Sequence, residues 1–384
     1  MKTKKIPTLQ FKSEKSEWSW KYLKDISEKV TEKNKDNQYT ETLTNSAELG
    51  IINQRDYFDK DISNQKNLNG YYIVRPDDFV YNPRISSFAP VGPIKRNKLG
   101  RTGVMSPLYY VFRTQNIDLQ YLEFYFSSVK WHLYMKQNGD SGARSDRFAI
   151  KDIVFGEMPI PYPSKDIQRK IGSFFKDLDD LISLYHEELD ALKKAKQGFL
   201  QKMFPRDGET KPVVRFKAYK ENWKRKKLGD ILNVNSGRDY KHLKEGNIPV
   251  YGTGGFMLNV NESLSNEDAI GIGRKGTIDK PQLLKAPFWT VDTLFFMTMK
   301  IDIDLYFCFS LISRIPWKKY DESTGVPSLS KTNIDKIAVE IPSYDEQVKI
   351  GEFFRQLDEV IELKEQELET LKQTKQGFLQ KMFV

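Results

Sequence analysis

From Phe79 to Ile117 the chain carries Arg84, Lys95, Arg96, Lys98, Arg101 and Arg113 and neither Asp nor Glu, with aromatics and prolines interleaved. Arg144 and Arg147 follow in the stretch SGARSDRF. Cations on loops and strand ends neutralise phosphates, and the arginine fork also matches the O6/N7 edge of guanine. A second basic group comes later: Arg238 and Lys241 in SGRDYKHLKEG, then Arg274, Lys275 and Lys280 in AIGIGRKGTIDKP. Glycines at 252, 254, 255, 271, 273 and 276 adjoin it, with Thr253 among them. Glycine lets backbone approach a ligand closely. These residues suit the binding of a nucleic acid, with a subset touching base edges. Any one of them alone is equally a phosphate clamp or a solvated charge, so the weight lies with the groups.

Residues for covalent chemistry are harder to find. Tyr251-Gly252-Thr253-Gly254-Gly255-Phe256 superficially resembles the glycine loop that holds S-adenosylmethionine in methyltransferases. Tyr81-Asn82-Pro83-Arg84 superficially resembles the Asn-Pro-Pro-aromatic motif of adenine methyltransferases. It lacks the second proline and the aromatic that would stack on a flipped base. The two elements also lie in different globular segments. A phosphate-cradling P-loop is absent, and no nuclease-like carboxylate pair, Ser-His-Asp set or Cys-His set stands out. Cys308 is the one cysteine, and the histidines are His132, His186 and His242. That excludes a disulfide framework and a Cys-rich zinc site. The residues argue for binding more than for catalysis.

A formal charge of +9 over 384 residues fits an acidic partner, either nucleic acid or a membrane surface. The start, MKTKKIPTLQ, is basic without an apolar core, and the most apolar run, Leu305 to Ile315, is too short to span a bilayer. The expectation is a soluble, cytoplasmic protein of two or three domains.

The elements that must position the basic groups are written twice. Ile171 to Phe204 and Ile350 to Phe383 are identical at 21 of 34 positions, at a constant offset of 179 residues, and both end in KQGFLQKMF. Ile171, Leu178, Tyr185, Leu192 and Phe199 recur at seven-residue spacing, with Phe175, Ile182, Leu189 and Met203 four residues further on in the same frame. The second copy repeats the stripe as Ile350, Leu357, Leu371 and Phe378 with Phe354, Ile361, Leu368 and Met382. Sustained heptads with charges elsewhere predict a coiled-coil seam. Pro163-Ser164 and Pro342-Ser343 precede the helices, and Ser343 to Glu346 has capping-box spacing. At ~1.5 Å per residue such a helix makes a rod of roughly 50 Å.

The duplication reaches further. Pro7, Phe11, Trp18, Leu23, Asp25 and Ile26 match Pro212, Phe216, Trp223, Leu228, Asp230 and Ile231 at an offset of 205. The order is therefore globule, helix, globule, helix: residues 1–161, 162–205, 206–341 and 342–384. Tyr71 to Val74 and Phe79 to Tyr81 read as strands between turns. Asp118 is placed to cap a helix running from Leu119 through Trp131, and Asp304 a counterpart starting at Leu305. The fold class is α/β (α+β), with two globules and two long helices.

Two different basic globules, each followed by a near-identical heptad helix ending in GFLQKMF, resemble the specificity subunit of type I restriction-modification enzymes. The resemblance covers essentially the whole chain. Its most specific parts are the helix repeats, the NIPVYGTGG and GRKGTI stretches, and Ile160-Pro161 and Ile341-Pro342. It implies two target recognition domains, each reading half of a split DNA target. It also implies an antiparallel helix pair with a pseudo-two-fold axis that sets the spacer. The subunit would hold no cofactor and perform no catalysis. Two modification subunits would supply S-adenosylmethionine-dependent adenine methylation, and restriction subunits ATP- and Mg-dependent translocation and cleavage. Modification subunits would dock near Phe199, Met203, Phe378 and Met382. The competing readings are a self-sufficient adenine methyltransferase and a nonspecific coiled-coil adaptor.

Gly198 and Gly377 interrupt helical sequence, where each costs about 1 kcal/mol relative to Ala. Their presence in both copies points to close approach of another backbone or a bend. Gly198→Leu is expected to weaken assembly with partner subunits before it weakens folding, as measured by co-purification against thermal melting.

Overall fold

The structure, a computed structural model, describes residues 6–12, 17–57, 65–140 and 146–384. The chain forms two compact units, Met1–Leu184 with Glu367–Val384, and Tyr185–Gln366. Neither ends where globule meets helix. The first long helix, Lys165–Lys202, starts in unit 1 and ends in unit 2, and the second, Tyr344–Met382, does the reverse.

Both units are built on one sheet plan. In unit 1 four antiparallel strands lie in the order Ser27–Lys29, Tyr110–Thr114, Phe79–Tyr81, Ile94–Arg96. In unit 2 the order is Leu232–Ser236, Leu294–Met299, Ala269–Gly273, Gln282–Leu284. Beside the first sheet stands the hairpin Leu43–Ser46/Gly50–Asn53, and beside the second Ile248–Gly252/Gly255–Val260. Each hairpin also meets a short neighbour in parallel, Thr42 opposite Val104 and Val250 opposite Trp289. The strand sequences FVY, AIGI and LFFM are buried on both faces, which accounts for their unbroken apolar character.

A short helix covers each sheet. Asp118 and Asp304 cap Leu119–Ser127 and Leu305–Arg314, accepting from Tyr121 N at 2.9 Å and Phe307 N at 2.7 Å. The first of these helices stops at Ser127, and a separate one runs His132–Asn138, so the expected continuation through Trp131 is broken. Ser128 causes the break: its N–H and Oγ both turn back to the last helical carbonyls.

Each capped helix end docks on the long helix of its own unit. Gln168 accepts from Asp118 N at 2.9 Å and donates to Pro163 O at 2.9 Å. Gln347 repeats this with Asp304 N and Pro342 O, both at 3.2 Å. Gly172 and Gly351 let the backbones close up. A methyl group on Gly172 would stand 2.9 Å from Gln120 Cβ and 3.1 Å from Tyr121 N, and one on Gly351 would strike Asp304 Oδ1. Gly198 and Gly377, by contrast, face open space among the described residues, and both helices continue through them. The close backbone approaches made within the chain are those at Gly172 and Gly351.

The capping box read at Ser343 does not form. Glu346 is 1 % exposed and takes a bidentate pair with Arg215, 2.7 Å on each arm, while its N–H reaches Ser343 O. A half-buried guanidinium outcompetes the local backbone donor for the buried carboxylate.

The long helices run antiparallel within each unit, because contacts rise in number along one and fall along the other. Unit 1 joins Phe174 to Phe378 and Asp179 to Lys375; unit 2 joins Phe353 to Phe199 and Asp358 to Lys196. These are the same contacts at the repeat offset. Glu188–Lys364 and Lys193–Glu365 add ion pairs in unit 2. Such exposed pairs contribute about 0–1 kcal/mol each and fix register more than stability. Ile171, Phe175, Leu189, Met203, Ile350, Phe354, Ile361, Leu368 and Met382 are buried, and Leu178 and Phe378 pack partly buried against the first core. Ile182, Leu192, Leu357 and Leu371 are half-exposed, and Phe199 is the most open of the seam.

Gly351→Val is expected to destabilise the protein by about 2–3 kcal/mol through overpacking against the cap of Leu305, read as a lowered denaturation midpoint, with Gly377→Val costing much less.

Candidate nucleic-acid interface

One end of each four-stranded sheet gathers the loops that carry free cations. In unit 2, Ser236 lies opposite Phe295 and Gly273 opposite Leu294, so the loops after both strands emerge beside Thr290–Thr293. Arg238 N donates to Thr290 O at 2.9 Å, Val291 N to Tyr251 O at 3.1 Å, and Arg274 N to Thr293 O at 2.8 Å. Gln282 Nε2 ties down the hairpin turn by donating to Gly252 O at 2.9 Å and Thr253 O at 3.2 Å. Leu329 N reaches Arg274 O at 2.9 Å and Gly276 N reaches Pro327 O at 2.8 Å. Arg238, Thr253, Arg274 and Lys275 are thereby brought together on a frame of main-chain hydrogen bonds. Arg238, Lys241, Arg274, Lys275 and Lys280 form no salt bridge with a carboxylate among the described residues. Lys241 and Lys280 are exposed on the loops that follow Arg238 and Lys275 in the chain.

Unit 1 builds the same place. Phe148 N donates to Pro83 O at 2.8 Å, and Ile85 N to Asp146 O at 3.1 Å, which repeats the two bonds between Leu329, Gly276 and their partners. Arg84 and Lys275 therefore hold equivalent positions, each in an isolated antiparallel bridge, to Arg147 and Ser328 respectively. Arg84 is exposed, and Arg147 is half-exposed with a loose 3.9 Å approach to Asp146. Arg144 lies outside the described residues.

Four of the other five charged side chains in the acid-free stretch turn to acids from elsewhere in unit 1. Arg96 pairs with Glu123 at 2.7 Å and Asp77 at 3.0 Å, Lys98 with Glu123 at 3.0 Å, and Arg101 with Glu41 at 2.8 Å. Arg113 forms a bidentate pair with Asp78, which is fully buried. Hydrogen bonding to those carboxylates raises Arg101 and Arg113 above the ordinary guanidinium value. Burial lowers the Lys95 ammonium despite the nearby charge of Glu123. The structure separates these residues from Arg84 and Arg147, a distinction that charge counting along the chain misses.

Nothing in the frame is arranged for catalysis at the glycine loop, which is a strand turn pinned by Gln282. His132 is pushed down to about 4 by burial, and burial raises the Cys308 thiol. Among the described residues no cluster of His, Cys, Asp and Glu is placed to hold a metal, and no helix is long and apolar enough to cross a membrane.

The duplicated frame has a known counterpart. A family model for the type I restriction modification DNA specificity domain matches residues 15–194 and again residues 220–373. The chain belongs to this family. It is 24% identical over 327 residues to the type I restriction enzyme MjaVIII specificity subunit of Methanocaldococcus jannaschii, covering 73% of each chain. The MjaIX specificity subunit of the same organism is 30% identical over 150 residues, 37% of this chain and 31% of that one. The crystal structure of a type I restriction-modification S subunit from M. genitalium superposes with a TM-score of 0.63 at 17% identity, covering 99% of both chains. A second solved chain, described for complex assembly and conformational transition of the type I system, gives 0.59 at 12% identity over 95% of this chain and 97% of that one. These likenesses show a shared fold. The specificity-subunit reading stands over the self-sufficient methyltransferase and the nonspecific adaptor, and the role is recognition, not catalysis.

Lys275→Ala is expected to weaken DNA binding without lowering stability, whereas Arg113→Ala, which leaves buried Asp78 short of two charged donors, costs about 1–3 kcal/mol of stability. Filter binding and thermal melting of both variants separate the two roles.

Proposed function

We propose that this specificity subunit reads a bipartite DNA target, one half with the Arg84–Arg147 face of unit 1 and the other with the Arg238–Thr253–Arg274–Lys275 face of unit 2. The observation that carries this is the equivalence of the two faces: one main-chain frame, two different sets of side chains. Two copies of a site that bind the same polyanion through different side chains suit two half-sites of different sequence. Base edges are read by side chains, while phosphate contacts position the protein. In this reading the helix pair sets the unread spacer, which a flexible linker would smear.

Two modification subunits, carrying S-adenosylmethionine, and restriction subunits, using ATP and Mg, complete the assembly. Met203 and Met382 are buried within the chain, which leaves Phe199, 37 % exposed, and half-exposed Phe378 as the open members of the docking set, each edge-on to one ring of the facing helix. Support for docking on the helices comes from exposed apolar pairs at the repeat offset, Leu181 with Leu184 and Val360 with Leu363.

The test is adenine methylation of a random-sequence DNA pool, mapped base by base, by the chain alone and with its modification subunit. Methylation is expected only in the complex, at a split motif with a fixed gap. Methylation by the chain alone, or by the complex at unsplit sites, overturns the reading.

A further inference from the structure

Each recognition face holds one acid among its cations. In unit 2, Asp292 stands between Thr290, whose carbonyl accepts from Arg238 N at 2.9 Å, and Thr293, whose carbonyl accepts from Arg274 N at 2.8 Å. In unit 1, Glu48 lines the same cleft as Arg84 and Arg147. Asn82 ties the Glu48 hairpin to that face, donating to Asn45 O at 2.9 Å and accepting from Arg84 N at 3.0 Å. The turn itself is pinned by Ser46 Oγ, which accepts from Glu48 N at 3.3 Å and Leu49 N at 3.2 Å. Glu48 and Asp292 are exposed, and neither carboxylate takes an ion pair or a hydrogen bond among the described residues.

A carboxylate on a face that binds a polyanion opposes every sequence alike, because phosphate charge does not vary with sequence. The repulsion is offset only where a base edge offers a hydrogen-bond donor. In the major groove those donors are the N4 amine of cytosine and the N6 amine of adenine. The adenine amine adjoins N7, an acceptor that repels a carboxylate, whereas the cytosine edge presents its amine alone. Cytosine is the base that fits.

On the reading of these faces as the binders of the two half-sites, we propose that Glu48 and Asp292 each accept a hydrogen bond from the N4 amine of a cytosine. Each half of the target then contains one cytosine fixed by a carboxylate. The two acids act by exclusion: a sequence lacking that cytosine leaves a bare carboxylate against phosphates. The neighbouring arginines and Lys275 supply affinity, and the acids withhold it from the wrong sequence.

The assembled methyltransferase carrying the wild-type chain, Glu48→Ala or Asp292→Ala is tested on the random-sequence DNA pool. The wild type is expected to demand a cytosine at one fixed position in each half-site. Each variant is expected to lose that demand in its own half and to keep the other half unchanged. By fluorescence anisotropy each variant weakens about tenfold on the mapped target, the size of one base contact. On an unrelated duplex each tightens about two- to threefold, the size of one exposed charge interaction. Tighter binding to the wrong sequence is an effect that neither a structural role nor a phosphate contact produces. Glu48→Gln and Asp292→Asn, which keep the size and remove the charge, are expected to admit adenine at the same position. An unchanged motif, or weaker binding to both duplexes, overturns the proposal. If the wild-type complex methylates no split motif, the bipartite reading fails by itself. Binding to the unrelated duplex then decides the role of the two acids, and no tightening in either variant overturns it.

Discussion

A buried glutamine holds each half of this protein together. Gln168 and Gln347 are almost fully enclosed, and each ties the start of its long helix to the capped end of the helix that covers the sheet. A side-chain amide has both a donor and an acceptor, so one residue satisfies a proline carbonyl and an N–H at a helix start together. The glycine four residues later, Gly172 or Gly351, brings the two helices into backbone contact. Remove either and the recognition face loses its fixed bearing on the rod. Aromatic packing of Phe175 on Phe383, and of Phe354 on Phe204, seals the same joint in each unit.

Much of this was legible in the sequence because repetition is itself a structural statement. The helix pair, the two globules and the caps at Asp118 and Asp304 all follow from spacing that occurs twice. What the sequence misplaced were choices between competing partners. Glu346 sits at the right distance from Ser343 for a capping box, yet Arg215, 131 residues away in sequence, takes it. There a tertiary contact overrode a local rule. The glycines crowded within the chain, Gly172 and Gly351 at the helix starts, carried no local signal that set them apart.

The basic groups show the same limit more sharply. A stretch of sequence without acids is not a region of space without acids. Asp77, Asp78, Glu41 and Glu123 lie outside Phe79–Ile117 and neutralise four of its cations. Arg84 escapes because it follows the end of a strand, where no neighbouring strand brings a carboxylate. Lys275 escapes for the same reason in unit 2. Position on the sheet, more than residue type, sorts structural cations from those available to DNA.

Both recognition faces are framed by hydrogen bonds between main-chain atoms: Phe148 to Pro83, Leu329 to Arg274, Arg238 to Thr290. A main-chain frame is blind to the side chains it displays. Substitutions at Arg84, Arg147, Arg238 or Lys275 alter what is displayed and leave every framing bond in place. Stability therefore places little restraint on what these positions become. On the proposed assignment of these faces to the two half-sites, target preference can drift while the body stays still, and each half drifts independently of the other.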